Sequence, residues 1–247
     1  MAGHSHSANI AVRKGKQDAV RARLFSKLSR YIIIAARNGG GDPDTNLRLR
    51  YAIDKARSVS MPRDNIERAV KRGTGELAGE ILDEISYEGY GPGGVAILVE
   101  ATTDNRHRTG GDVRTAFEKG GGNIGTPGCV GYLFERKGLF VISAKKFPDE
   151  DAVMMAAMDA EADDFNRVDT VYEVTCDFGK FPNVQEKLIH AGIVADEADV
   201  RMLAKTHVDI DVETGKRILK LIEVLDSNED VQSVYTNANI TAEMIND

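Results

Sequence analysis

Residues 17–37, QDAVRARLFSKLSRYIIIAAR, decide how the front of this chain is read. Leu24, Phe25, Leu28, Tyr31, Ile32 and Ala35 recur at three- and four-residue spacing, which predicts one amphipathic helix. Arg21, Arg23, Lys27 and Arg30 fall largely off that stripe. Gly39-Gly40-Gly41 stops the helix, because glycine accepts the left-handed conformation of a C-cap. A turn at 42–46 follows, with Thr45 or Asn46 capping a second helix over about 47–59. Leu49, Ala52, Ile53 and Ala56 form its inward face. Met61-Pro62 breaks it, and Pro62 is placed at the first position of a third helix, with Asp64 favourable to its dipole. Ile66, Ala69 and Val70 turn inward, which leaves Arg63, Arg68, Lys71 and Arg72 for solvent or ligand.

This helical front is basic in an acidic chain. Residues 1–75 hold sixteen Lys/Arg against six Asp/Glu, a net of +10; residues 76–247 hold sixteen against thirty-three, a net of −17. The two sum to the formal −7 of the 247 residues. A split of that size points to a polyanion, above all nucleic acid, held by the front part. The competing explanations are a solvated face, or a basic domain docked on its own acidic neighbour. Residues 1–16 add Arg13, Lys14 and Lys16 without apolar periodicity, and read as a basic arm.

Composition excludes several classes. No apolar run approaches the ~20 residues of a membrane span, and Tyr31–Ala36 is too short. The polar start Met1–Ser7 lacks the apolar core of a secretion signal, so a cytoplasmic location is expected. Cys129 and Cys176 match no metal or redox spacing and are expected to be small apolar core residues. Ala2-Gly3-His4 would bind Cu(II) if its amine were free, as any such terminus does, and no metal or cofactor is expected of the chain. Asp42, Asp44 and Asn46 begin like a calcium loop. Leu47 and Ile53 then stand where the required Gly and Glu belong, and capping explains the acids better.

From Gly73-Thr74-Gly75 onward the pattern changes. Strands are predicted over about 84–88, 95–101 and 129–135, with a helix over about 105–119 capped by Thr103 or Asp104. Gly89–Gly94 joins two strands and reads as a hairpin with glycines at positive φ. A second unit then begins. Strands at about 139–143, 164–166, 170–176 and up to 204, with helices at 149–160 and 181–191, give the order βαββαβ. The tail offers a strand at 206–211, a helix at 213–227 and a strand at 231–237. The expected fold is α+β: an N-terminal three-helix domain followed by two ferredoxin-like α/β sandwich domains, one inserted in the other. The expected domains are 1–76, a split domain of 77–136 plus 205–247, and an inserted domain of 137–204.

Chemistry is sparse. No phosphate-binding loop of the P-loop or dinucleotide type occurs. Arg106, His107 and Arg108 gather at a strand-to-helix junction, where helix amides would welcome an anion; simple capping with exposed arginines is the alternative. The remaining histidines and carboxylates form no catalytic constellation, and no enzyme is expected.

Met1-Ala2-Gly3-His4-Ser5, Gly40-Gly41-Asp42-Pro43 and Met61-Pro62 with Asn65-Ile66-Glu67-Arg68-Ala69 resemble the YebC/PmpR family. So do Lys71-Arg72-Gly73, Tyr87–Gly94, Thr103-Asp104-Asn105-Arg106 and Tyr132-Leu133-Phe134-Glu135-Arg136. The arm departs from the family: His6-Ser7 stands where relatives often carry a Trp, and Ala11-Val12 where they are often basic. The resemblance implies a helical domain followed by two α/β domains, and a probable DNA-binding transcriptional regulator. Mitochondrial relatives are translational activators, and bacterial relatives are linked to the ribosome and to relief of stalling, so RNA or the ribosome is the alternative partner. Arg13, Lys14, Lys16, Arg21, Arg23, Lys27, Arg63, Arg68, Lys71 and Arg72 are the expected phosphate contacts. The acidic α/β domains are left for a protein partner or for solubility.

Overall fold

The computed structural model describes residues 17–79 and 81–245. These fall into two compact units, 17–129 with 217–234, and 130–216 with 235–245.

The first unit opens with three helices, α1 (Gln17–Gly39), α2 (Leu47–Ser58) and α3 (Arg63–Gly73). Leu28, Ile32, Ala35 and Ala36 of α1 meet Leu49, Ala52, Ile53 and Ala56 of α2, and Ile66 and Ala69 of α3, in one apolar core. Gly40, at φ +86°, ends α1 with its N–H on the carbonyl of Ala36 at 2.8 Å. Asn46, buried, locks the next turn. Its Oδ1 accepts from the amide of Leu49 at 3.1 Å as the N-cap, and its Nδ2 donates to the carbonyls of Ala35 and Gly40, each at 2.8 Å. Pro62 stands one residue ahead of α3 rather than at its first position, with extended backbone (φ −56°, ψ 138°). At the far end of α3, a Cβ on Gly73 would lie 2.5 Å from the carbonyl oxygen of Ile33 and 2.6 Å from the Cβ of Ala36. Only glycine lets the two backbones approach this closely.

In the first sheet, β1 (Asp83–Tyr90) and β2 (Ala96–Thr103) form an antiparallel hairpin whose turn holds Gly93 and Gly94 at φ +73° and +72°. β2 is buried along nearly its whole length, as befits an inner strand. α4 (Arg106–Lys119) leads to the short β3 (Asn123–Ile124) beside β1. α7 (Val212–Ser227) precedes β8 (Val231–Thr236), which lies beside β2. The sheet order is therefore β3-β1-β2-β8. Two expected strands are absent from it. Residues 131–133 form a 3-10 turn instead of continuing a strand. Residues 206–211 make an isolated parallel bridge, Val208 to Ala238.

In the second unit, β4 (Phe134–Ser143), α5 (Glu150–Asp159), β5 (Asp164–Val168), β6 (Val171–Asp177), α6 (Phe181–His190) and β7 (Glu197–Ala204) follow the βαββαβ order. The strands pair antiparallel in the order β5-β6-β4-β7, the ferredoxin-like arrangement. β4 is one unbroken strand where the sequence pattern suggests two. Its polar stretch Glu135–Lys137 is bonded to β7, and Gly138 makes room for the Phe181 ring and the Cys176 thiol, 2.6 and 2.7 Å from where a Cβ would sit. Phe140 and Phe181 stack with ring centres 4.7 Å apart. A four-residue helix, α8 (Ala242–Ile245), ends the described chain.

Because no side chain fits between α1 and α3, Gly73→Ala is expected to cost about 1–3 kcal/mol by overpacking. A urea melt of the full chain reads it; a midpoint equal to that of the parent would show that the helices are not held so close.

Candidate nucleic-acid interface

The cations of the helical front divide by helix face. On α3, burial of Ile66, Ala69 and Gly73 turns Arg68, Lys71 and Arg72 outward. Their i, i+3 and i+4 spacing makes them neighbours on one exposed surface. None of the three side chains has a hydrogen bond or ion pair among the described residues. The stem of Arg72 runs over the backbone at Gly79, its Cδ 3.6 Å from where a Cβ there would be. Arg63, 89% exposed, meets Glu67 at 2.7 Å one turn on. Such a pair is worth little and exchanges readily for a phosphate. Arg23 of α1 is exposed and unpaired as well. Arg13, Lys14 and Lys16 lie outside the described residues, as does the side chain of Arg21.

Lys27 is a correction. Its Nζ donates to the carbonyl of Asp226 at 2.7 Å and to Asp226 Oδ1 at 3.1 Å, and the side chain is only 13% exposed. Arg30, on the same helix face, donates to the carbonyls of Thr102 (3.1 Å) and Glu229 (3.2 Å) and pairs with Asp230. Ile34, fully buried, lies one turn further along that face. This side of α1 is a packing surface against the sheet end, so Lys27 is unavailable to a ligand. The signal that marks it is Tyr31–Ala36, apolar all round, as in a helix covered on more than one side.

The junction at 106–108 is the second correction. Asn105, not Thr103 or Asp104, caps α4, its Oδ1 accepting from the amide of Arg108 at 3.0 Å. Arg106 Nε donates to Asp83 Oδ2 at 2.9 Å. Arg108 donates to Asp104 Oδ1 at 2.6 Å and Asp230 Oδ2 at 2.8 Å. The anion that Arg108 holds is the chain's own Asp230, while Arg106, 59% exposed, is held by a surface pair with Asp83 and His107 stays exposed. The Asp230 side chain is 5% exposed and also accepts from Thr109 (2.6 Å) and Thr103 (3.2 Å). Burial alone would raise its pKa. Hydrogen bonds from Thr109, Arg108 and Arg30 outweigh burial and hold it down to about 2.

Little else here is reactive. Burial pushes the Cys176 thiol up to about 12 and raises that of Cys129, which keeps both protonated. Cys176 is a core residue, whereas Cys129 is only half-buried. No group of three or more His, Cys, Asp or Glu among the described residues is placed to hold a metal ion.

N-terminal helices followed by two antiparallel sheets make up the described chain. Residues 5–76 match the TACO1/YebC protein N-terminal domain, and residues 82–238 the TACO1/YebC second and third domain. The chain belongs to the TACO1/YebC family. It is 49% identical to a probable transcriptional regulatory protein of Rhodopirellula baltica, over all of both chains. It is 50% identical to one of Shewanella oneidensis, over 99% of this chain and 98% of that one. Its fold matches the crystal structure of a conserved hypothetical protein from Aquifex aeolicus with a TM-score of 0.83 at 44% identity, covering 94% of this chain and 96% of that one.

The lowered pKa of Asp230 fixes a pH dependence. Its contribution to stability is complete above the ordinary carboxylate range and is lost as pH falls through that range toward about 2. Asp230→Asn leaves Arg30 without its carboxylate partner and is expected to cost about 3 kcal/mol at neutral pH. Denaturant midpoints should differ from the parent at pH 7 and converge toward pH 2; a gap that does not change with pH would overturn this role.

Proposed function

We propose that this chain is a non-enzymatic, nucleic-acid-binding regulator of gene expression that acts on DNA in transcription. One observation carries the reading: Arg68, Lys71 and Arg72 stand exposed on α3 without a carboxylate partner, while Lys27 and Arg30 are neutralised internally. Cations left unpaired on one helix face are suited to a phosphodiester backbone. The names of the full-length relatives favour transcription. A cytoplasmic location accords with it, and no helix of the described residues is long and apolar enough to cross a membrane. On this reading, the acidic second unit faces solvent or a protein partner.

A second reading, a ribosome-associated factor bound to structured RNA, has its own support. Apart from Asn65, α3 offers no amide side chains to read base edges, and shape recognition through phosphates suits RNA.

Arg68→Gln, Lys71→Gln and Arg72→Gln together are expected to flatten the log–log salt dependence of duplex DNA binding by about 2–3, near 0.9 for each phosphate no longer neutralised. Fluorescence anisotropy with labelled duplex DNA and with a structured RNA hairpin reads the slope, and the probe bound more tightly distinguishes the two readings. Lys27→Gln should lower stability and leave the slope alone. A slope unchanged in the α3 variant would sink the assignment.

A further inference from the structure

α4 and α7 pack side by side and run in opposite directions. Near one end, Asn228 Nδ2 donates to Asp112 Oδ2 at 3.3 Å. At the other end, Leu221 covers Gly120, and Arg217 Nη2 sits 2.5 Å from where a Cβ on Gly121 would be. This second end brings Lys119, Arg217 and Lys220 to one place. All three are exposed, and none has an ion pair or hydrogen bond among the described residues.

About half of the cations in this acidic part of the chain are ion-paired, whereas these three stand together without a carboxylate partner among the described residues. Arg106 and Arg108 of the same unit are ion-paired. In the second unit, so are Lys137, Lys146, Arg167, Lys180, Lys187 and Arg201. Arg217 and Lys220 stand at i and i+3 and repel each other. Glu223, three residues beyond Lys220, closes no ion pair with it, and Glu118 borders the cluster without doing so.

The neighbouring backbone is open at Gly94 but covered at Gly120 by Leu221 and at Gly122 by the Tyr90 carbonyl. Gly94 has nothing within 4 Å of where a Cβ would sit, and Gly121 is flanked by Arg217 and, at 3.8 Å, by Pro92. Three unneutralised cations beside the open backbone at Gly94 form a surface suited to a strand of phosphates.

We propose that Lys119, Arg217 and Lys220, with the glycine turns at 92–94 and 120–122, form a second phosphodiester-binding patch, separate from α3. The patch rests on the nucleic-acid reading but uses none of the same residues. With it, the sheet-bearing part of the chain contacts the ligand rather than only supporting the helices.

The test is the full-length variant Lys119→Gln, Arg217→Gln, Lys220→Gln, measured by anisotropy on labelled duplex DNA and on a structured RNA hairpin across a salt series. The expected result is roughly tenfold weaker binding near physiological salt and a slope lower by about 2–3 on duplex DNA. The probe with the larger loss identifies the ligand that reaches this end. Lys146→Gln, Lys180→Gln, Lys187→Gln removes the same charge from the second unit and should leave the slope unchanged. If the triple variant melts early, Lys119→Gln with Lys220→Gln should show about two-thirds of the slope change. A parent slope in the patch variant, alongside a lowered one in the α3 variant, overturns this patch alone. An equal loss in the charge-matched control overturns it as well. A parent chain that binds neither probe removes both sites.

Discussion

The Asp230 carboxylate is the interaction on which the first unit depends. A buried charge is costly unless it is paired and its lone pairs are filled. Here Arg30 and Arg108 supply the charge, and Thr103 and Thr109 supply hydroxyl donors. The four donors come from α1, the end of β2 and the first turn of α4, while Asp230 itself leads into β8. The backbone repeats the link, because the Thr102 amide donates to the carbonyl of Asp230 at 2.8 Å. Hydrophobic packing would tolerate small rotations of α1 against the sheet, but a carboxylate with four directed donors does not. The cluster contributes orientation more than net stability, since much of its attraction offsets desolvation.

That orientation decides which basic residues are free. α1 turns Lys27 and Arg30 toward Asp226 and Asp230, so part of the basic excess of residues 1–75 balances the acids of 226–230. Arg48 is likewise paired with Glu84, and Arg50 with Asp44. The positive field that reaches solvent comes from fewer side chains than the composition implies, and α3 supplies its densest helical segment. The basic excess therefore splits between faces of the same domain: α1 is docked on an acidic neighbour, and α3 presents an open cationic surface.

Much of this was legible in the sequence. The three helices follow from apolar spacing, the end of α1 from its glycines, the hairpin from Gly89–Gly94, and the second unit from its alternating pattern. The failures at β4 and at the paired arginines share a cause, which is partners distant in sequence. Glu135-Arg136-Lys137-Gly138 looks like a break, yet it lies within β4 because β7 bonds it and Phe181 fills the space over Gly138. Arg108 and Asp230 are 122 residues apart, and Arg30 and Asp230 are 200. Spacing rules have no reach at that separation, so each of these charges reads as solvent-exposed until the fold brings the other to it.

The motifs that mark the family also divide by physical task. In Lys71-Arg72-Gly73, the glycine is structural, since it lets α3 touch α1, while its two neighbours face away from the core. In Thr103-Asp104-Asn105-Arg106, every side chain is engaged within the chain: Thr103 on Asp230, Asp104 on Arg108, Asn105 as the cap, Arg106 on Asp83. A motif whose hydrogen bonds all close internally gains nothing from an external ligand, so its residue types are explained by folding alone. A motif with a glycine against the core and cations pointing outward is not explained that way. Packing accounts for Gly73, but no hydrogen bond or ion pair among the described residues accounts for Arg68, Lys71 or Arg72, and that difference sets α3 apart from the arginine-rich junction of α4 as a basic segment left open to solvent.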